Sequence, residues 1–472
     1  MIVLAGNGAE AIHAAVENGH VEVVRALLDG GADINSMSIG VSPLQLAAQY
    51  SQVEAARVLL LSHKPAADVH LLSRVDSSTA LYYAVGRGSI EMVDLLLKSN
   101  ASARGKQQRK GGFPLLYATK IESATVSIAV ISLLVTAGAD INERSEYDHI
   151  TALHSAAERG ALPVFKQLLQ HGADIHSLTA KKHSVLHIAV ASQMTDSSAK
   201  EKLIATVLFE LLKPCTTTNT TTVVDGSVKA CPQPERIEMQ QFLDALTEDG
   251  LCALHYAVLG GYGHIVHRLL KAGAAIDTPV VSDSRRSREG IEEGSTPLFL
   301  AVQMGNVEVA SLLLAAGSNA DVQLYNARGR EGITPLLLAI SRGDVAMSRL
   351  LLVHDDSLEA AGSNCVAPLD SAPGSTASSG VCESRVTADP NVGGTGAMQS
   401  PLLFAVVRGQ AEIAGLLLRA GASCNVLIQR SSGDDSTETL VEFARRRRDF
   451  DMLQVLSRSD ACNPETIRST LT

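Results

Sequence analysis

Tryptophan is absent and aromatic residues make up only 3% of the chain. That scarcity fits poorly with a β-sandwich or an aromatic-lined pocket, both of which lean on large rings. It suits helices packed closely through small and aliphatic side chains. No apolar run approaches the ~18 uninterrupted residues of a membrane helix, so no membrane insertion is expected. The opening MIVLAGNGAE has no basic segment ahead of its short apolar run and does not read as a secretory signal. Surplus positive charge is missing as well. The net charge is -10 over 472 residues, which argues against nucleic acid as a partner, because neutralising a phosphate backbone needs excess Lys and Arg on the binding face.

The seven cysteines (Cys215, Cys231, Cys252, Cys365, Cys382, Cys424 and Cys462) are odd in number, scattered and never spaced C-x-x-C. Neither a zinc site nor a redox pair is indicated, and a reducing compartment is expected: the cytoplasm, with the nucleus as the alternative. The sequons at Asn100 and Asn219 are then chance matches. Catalytic signatures are missing too. Gly393-Gly394-Thr395-Gly396 lacks the strand, helix and Lys of a phosphate-binding loop. No G-x-S-x-G elbow or H-E-x-x-H helix occurs. The chain is therefore expected to be no enzyme and to need no cofactor or metal.

What is present is one pattern, said ten times and most legible at 149–176, HITALHSAAERGALPVFKQLLQHGADIH. Thr151 is a helix cap, because its hydroxyl can accept from a free backbone N–H. Leu153, Ala156 and Ala157 follow at i, i+3 and i+4 and make one face apolar. Gly160 breaks that helix, and Pro163 suits the first turn of the next. Val164, Phe165, Leu168 and Leu169 give the second helix its own stripe, and Gly172 ends it in the left-handed conformation. Two such helices cannot bury their faces alone, so the unit needs a copy on either flank.

The position of Leu153 is filled elsewhere by Ile12, Leu44, Leu81, Leu115 and Leu186, then by Leu254, Leu298, Leu336 and Leu402. The basal period is about 33 residues. Two longer gaps coincide with changes in composition. Residues 214–246 begin PCTTTNTTTVVDGS and form a polar insertion whose second half, PERIEMQQFLDAL, is compatible with a short amphipathic helix. Residues 355–398 are rich in Ser, Gly and Ala, and too poor in apolar residues to offset ordering, so they are expected to be a disordered loop. The resulting organisation is repeats at 1–213 and 247–354, a last repeat and cap at 399–456, and a tail at 457–472. In the cap, Arg445–Arg448 replace apolar residues and read as a solvated outer face.

These units resemble ankyrin repeats. The family motif T-P-L-H-x-A stands here as Thr296-Pro297-Leu298 and Thr334-Pro335-Leu336, and its His and Ala as His154 and Ala156, and His255 and Ala257. The closing G-A-D-I-N is carried at Leu27 to Asn35 and Leu134 to Asn142. The resemblance implies an all-α solenoid of helix–turn–helix units with β-hairpin-like fingers, acting as a monomeric protein-binding scaffold. It implies that His13, His154, His187 and His255 bond backbone in the turn, with no array of ligands or acid–base groups. Phe113-Pro114, Ser184-Val185 and the missing closing motif of the second unit are expected to make local starts and fingers less regular.

In this family a partner lies on the concave face, against residues just before and after the T-P-L-H-x-A element. By register these are Tyr147, Asp148, Ile150, Glu158 and Arg159 in the fifth unit. The seventh gives Glu248, Asp249, Leu251 and Leu259. The eighth gives Glu292, Glu293, Ser295, Gln303 and Met304, and the ninth Arg330, Glu331, Ile333, Ser341 and Arg342. The acidic pairs at 248–249 and 292–293 predict a partner with a partly basic patch. An adaptor presenting a client to an enzyme such as a ubiquitin ligase is the alternative. So is a membrane–cytoskeleton linker using the basic stretch Arg104 to Lys110.

Overall fold

The computed structural model describes residues 8–37, 39–62, 64–104, 112–192, 194, 196–211, 240–281, 291–325, 332–352, 387–392, 400–424, 427–429 and 437–458. They form two compact bodies, Met1–Lys213 and Pro214–Thr472. The first holds six antiparallel helix pairs, from Gly8–Glu17 with Val21–Asp29 to Val185–Ala191 with Ser197–Leu211. The second holds five, from Ala253–Leu259 with Gly263–Lys271 to Leu440–Arg447 with Phe450–Ser457. Within each body, first helices pack on the first helices of neighbouring pairs and second helices on second helices. The only sheet among the described residues is two short antiparallel hairpins, Leu324–Tyr325 with Gly332–Ile333 and Leu427–Gln429 with Thr437–Thr439. No described helix is long and apolar enough to cross a membrane.

The packing seam is the one the sequence repeats. Leu153, Ala156, Ala157, Val164, Phe165 and Leu168 are all buried, as are the register residues from Ile12 to Leu402. Most first helices start on a hydroxyl cap: Ser42, Thr79, Thr151, Ser184, Thr296, Thr334, Ser400 and Thr439 each accept the N–H three residues on. The expected irregularities divide. Phe113 caps nothing and its helix, Pro114–Ala118, lasts only five residues. The second unit, with no Gly to end its second helix, runs into a π-helical turn at Val58–Ser62. Ser184 is a correction: it forms a full capping box with His187, because a Ser hydroxyl caps as well as a Thr hydroxyl.

A second correction concerns the long Ser/Gly-rich stretch. Residues 387–392 belong to the ninth unit and are ordered. The amide of Ala388 donates to the carbonyl of Leu351 at 2.9 Å, and the Asp389 amide to Asp321 Oδ1 at 3.0 Å. Asn391 Oδ1 in turn accepts the Ser423 amide at 2.7 Å. Ala388-Asp389-Pro390-Asn391 is thus the closing A-D-x-N of that unit, displaced by an insertion between its second helix and its finger.

This rung recurs. Asn35 accepts from the Asp68 amide, Asn142 from Asp174, Asp244 from Ala275 and Asp277 from Asn319. Each side chain satisfies a turn amide one repeat further on, which leaves few orphaned donors along the seam. Asp244, in the part of the first insertion that is described, does for its repeat what Asn142 does for another. Residues 240–243 beside it are helical, the described end of the amphipathic stretch.

Successive fingers also touch through backbone. The amide of Arg74 donates to Gly40 O, Ala180 to Asp148 O and Val281 to Gly250 O, at 2.8, 2.9 and 3.2 Å. Gly250 holds φ +71°, and a Cβ there would overlap the backbone carbonyl of Val281. Gly250→Ala is expected to cost about 2 kcal/mol through left-handed strain and displacement of the next finger. Thermal unfolding reads it, and an unchanged midpoint would mean that the fingers are not in fixed contact.

Candidate partner-binding face

Histidine builds the base of the finger in several repeats. In the fifth unit the Thr151 amide donates to His154 Nδ1 at 3.2 Å, which leaves the proton on Nε2 to donate to Ser177 O at 3.1 Å. His255 repeats the arrangement, with Nδ1 accepting from the Cys252 amide at 3.1 Å and Nε2 donating to Thr278 O at 2.9 Å. His187 Nδ1 accepts from Ser184, and His13 Nε2 reaches Val41 O. In the second unit Gln45 takes the position: its Oε1 accepts from the Ser42 amide and its Nε2 donates to Leu71 O and Ser78 O. In the first, second, fifth and seventh units one buried polar side chain thus ties the first helix to the finger beyond it. Burial holds both His154 and His255 neutral, with pKa values lowered to about 4. The Cys252 thiol, 3.1 Å from His255 Nδ1, is pushed up by burial to about 11. It therefore stays protonated at neutral pH and is no nucleophile.

Three or more potential metal-ligating side chains converge nowhere among the described residues. Cys424 is disulfide-bonded, a difference from the reduced set of thiols read from the sequence. The second cysteine lies outside the described residues.

The fingers present part of the expected surface. Tyr147 is 64% exposed, and Asp148, Glu158 and Arg159 are exposed beside it, with Ile150 half-buried. In the second body Glu248, Glu292, Glu293 and Arg342 are exposed, and Met304 is 55% exposed. Asp249, Leu259, Gln303, Ile333 and Ser341 are half-buried. Arg330 and Glu331 lie outside the described residues, as do Lys106 to Lys110 of the basic stretch. Two positions correct the expectation: Leu251 is 1% exposed and Ser295 0%. Each precedes a helix cap, where the finger turns inward. The Leu251 amide donates to Thr247 Oγ1, and the Leu251 and Ser295 carbonyls accept the Thr247 and Val280 amides. Their side chains support the finger and are not offered to solvent.

Sequence register also leaves three residues unnoticed. Val281, at a finger tip, is exposed. Arg408 and Arg447 hold the position of Arg342, eight residues after the caps Ser400 and Thr439. Counting from the cap finds the two arginines, the second of which the unbroken run Arg445–Arg448 conceals.

The comparison with known families decides what this architecture is. The family described as "Ankyrin repeats (3 copies)" matches residues 2–71, 121–201 and 233–326, more than half of the chain. A single-repeat match covers 76–106. The chain belongs to the ankyrin-repeat family. Its repeats are similar to those of the Nuclear factor NF-kappa-B p105 subunit of Gallus gallus, 32% identical over 201 residues, which are 41% of this chain and 20% of that protein. They are similar to the B-cell lymphoma 3 protein homolog of Mus musculus, 28% identical over 186 residues, 39% of this chain and 40% of that one. The E3 ubiquitin-protein ligase KEG of Arabidopsis thaliana is 26% identical over 262 residues, 52% of this chain and 15% of that protein. The chain thus spans two-fifths or less of these relatives' length. Ankyrin repeats are protein–protein interaction modules whose extended surfaces vary in residue and not in frame, and the family is typically non-catalytic.

Proposed function

We propose that this ankyrin-repeat chain is a non-enzymatic protein-interaction scaffold, docking a partner on the finger and first-helix face of its second body. One observation carries the reading. Glu292 and Glu293 are exposed on a finger whose own first helix ends in exposed Met304, and neither carboxylate is ion-paired with a described residue. Free acidic side chains beside an adaptable apolar one suit a partner patch that is partly basic. Glu248 and Asp249 extend the same acidic edge one repeat earlier.

Affinity capture with the full chain tests it. Glu292→Lys/Glu293→Lys is expected to lower recovery of bound partners roughly tenfold without shifting the melting temperature. Equal recovery by the variant would sink the reading. The adaptor alternative draws on the relative named as a ubiquitin-protein ligase; it predicts ligase subunits among the captured proteins.

A further inference from the structure

We infer that the last three helix pairs of the second body carry another docking surface, opposite in charge to the acidic tips, which takes an acidic, Asp- and Glu-rich segment of a partner protein. Arg342, Arg408 and Arg447 stand in one register, at the C-terminal ends of three first helices, Pro335–Arg342, Pro401–Val407 and Leu440–Arg447, that pack in sequence. The row is held in place. Arg408 Nη1 donates to Ser341 O at 2.9 Å, and Arg447 Nη1 donates to Val407 O. Each guanidinium thus grips the helix end one repeat before its own. The Arg408 guanidinium also lies 5.0 Å from the Phe404 ring, and those of Arg446 and Arg447 lie 5.2 and 5.3 Å from Phe443. A guanidinium has five N–H donors in a rigid fork, so these contacts leave donors free for carboxylates while fixing the plane that presents them.

The charge is uncompensated. Of Arg342, Arg408 and Arg445–Arg448, only Arg446 meets a carboxylate among the described residues: buried Glu438, at 2.6 Å. Helix-end carbonyls favour a cation there, yet they carry only a fraction of the charge gathered along this edge. Arg448 adds a second sign. It holds φ 58° where the two preceding repeats place Gly343 and Gly409 at φ 70° and 72°, so a long cationic side chain occupies a backbone conformation that glycine adopts without cost.

An acidic peptide fits better than a polyanion. In an extended segment every second side chain points the same way, which lets carboxylates on one face meet the arginines along the row. A nucleic acid or an anionic membrane would bring dense charge against a chain of net charge -10, with the acidic tips in the same body.

Fluorescence anisotropy with the full chain and a labelled peptide alternating Asp or Glu with Leu tests the assignment. A Lys-for-Asp/Glu counterpart, single-stranded DNA and phosphatidylserine vesicles serve as the other arms. The acidic peptide is expected to bind, to weaken as salt rises, and to lose roughly tenfold in affinity with Arg342→Gln/Arg408→Gln/Arg447→Gln. Glu292→Lys/Glu293→Lys should leave this binding unchanged, which separates it from the proposed acidic-tip function. Equal affinity of the triple variant, or tighter binding of DNA or vesicles than of peptide, overturns it. If the triple variant melts early, Arg445→Gln/Arg448→Gln removes two charges that make no side-chain hydrogen bond to a described residue. A several-fold loss is required there too, and its absence overturns the assignment.

Discussion

Lowering the pH from 7 to 4 is expected to destabilise the protein by several kcal/mol through its buried histidines alone. His154 and His255 have folded pKa values near 4 because burial disfavours the imidazolium, whereas an unfolded histidine titrates near 6.5. The unfolded chain therefore takes up protons first as the pH falls. Stability is fully present above about 6.5 and is lost progressively down to about 4. A shift of this size corresponds to about 3 kcal/mol for each histidine. Urea midpoints measured between pH 7 and pH 4.5 should fall accordingly. His154→Gln/His255→Gln should flatten that part of the dependence, because Gln45 already fills the same position and makes equivalent bonds without titrating. An undiminished fall in the double variant would show that the histidines do not carry it.

Phe165→Ala is expected to cost about 3–5 kcal/mol. Phe165 is fully buried on the second helix Leu162–Gln170, which packs against its own first helix and against the second helices on both sides. In a stacked architecture stability comes from nearest-neighbour interfaces, so one cavity weakens two of them. The urea midpoint should drop sharply, while Phe450→Ala, at a ring that is 75% exposed, should change stability by less than about 0.5 kcal/mol. Similar effects for the two would mean that the repeat register is misplaced.

Much of this fold was legible in the sequence because each repeat states the same physical requirement. A hydroxyl cap, a leucine two residues later, paired alanines and a glycine stop leave little room for another structure, and the register residues from Ile12 to Leu402 are buried as that grammar requires. His154 was legible for the same reason: one imidazole per repeat, far from any shared partner, points to a turn and not to a reaction. The closing turn at Ala388 to Asn391 was hidden by its distance from the helix it completes. Its A-D-P-N is the same signal as the A-D-I-N at Ala139 to Asn142, and composition bias in the surrounding stretch masked it.

The candidate face was harder to read, since register says which positions lie at a finger but not which way each side chain turns. Leu251 and Ile150 share a position, yet Leu251 is buried and Ile150 half-buried. Both fingers meet the next one through backbone, Ala180 on Asp148 and Val281 on Gly250, so a shared register position does not by itself encode how far a side chain is covered. The arginine row was missed because its members are one per repeat, with the long insertion separating Arg342 from Arg408. Hydrogen bonds across repeats bring them into line.

Site-specific photo-crosslinking is the most direct test that the finger and first-helix face is where partners bind. A photoreactive residue in place of Met304 should capture the partner recovered with the wild-type chain. The same residue in place of Glu308, exposed on the second helix of that repeat, should capture none. Crosslinking from position 308 with none from 304 would contradict the account.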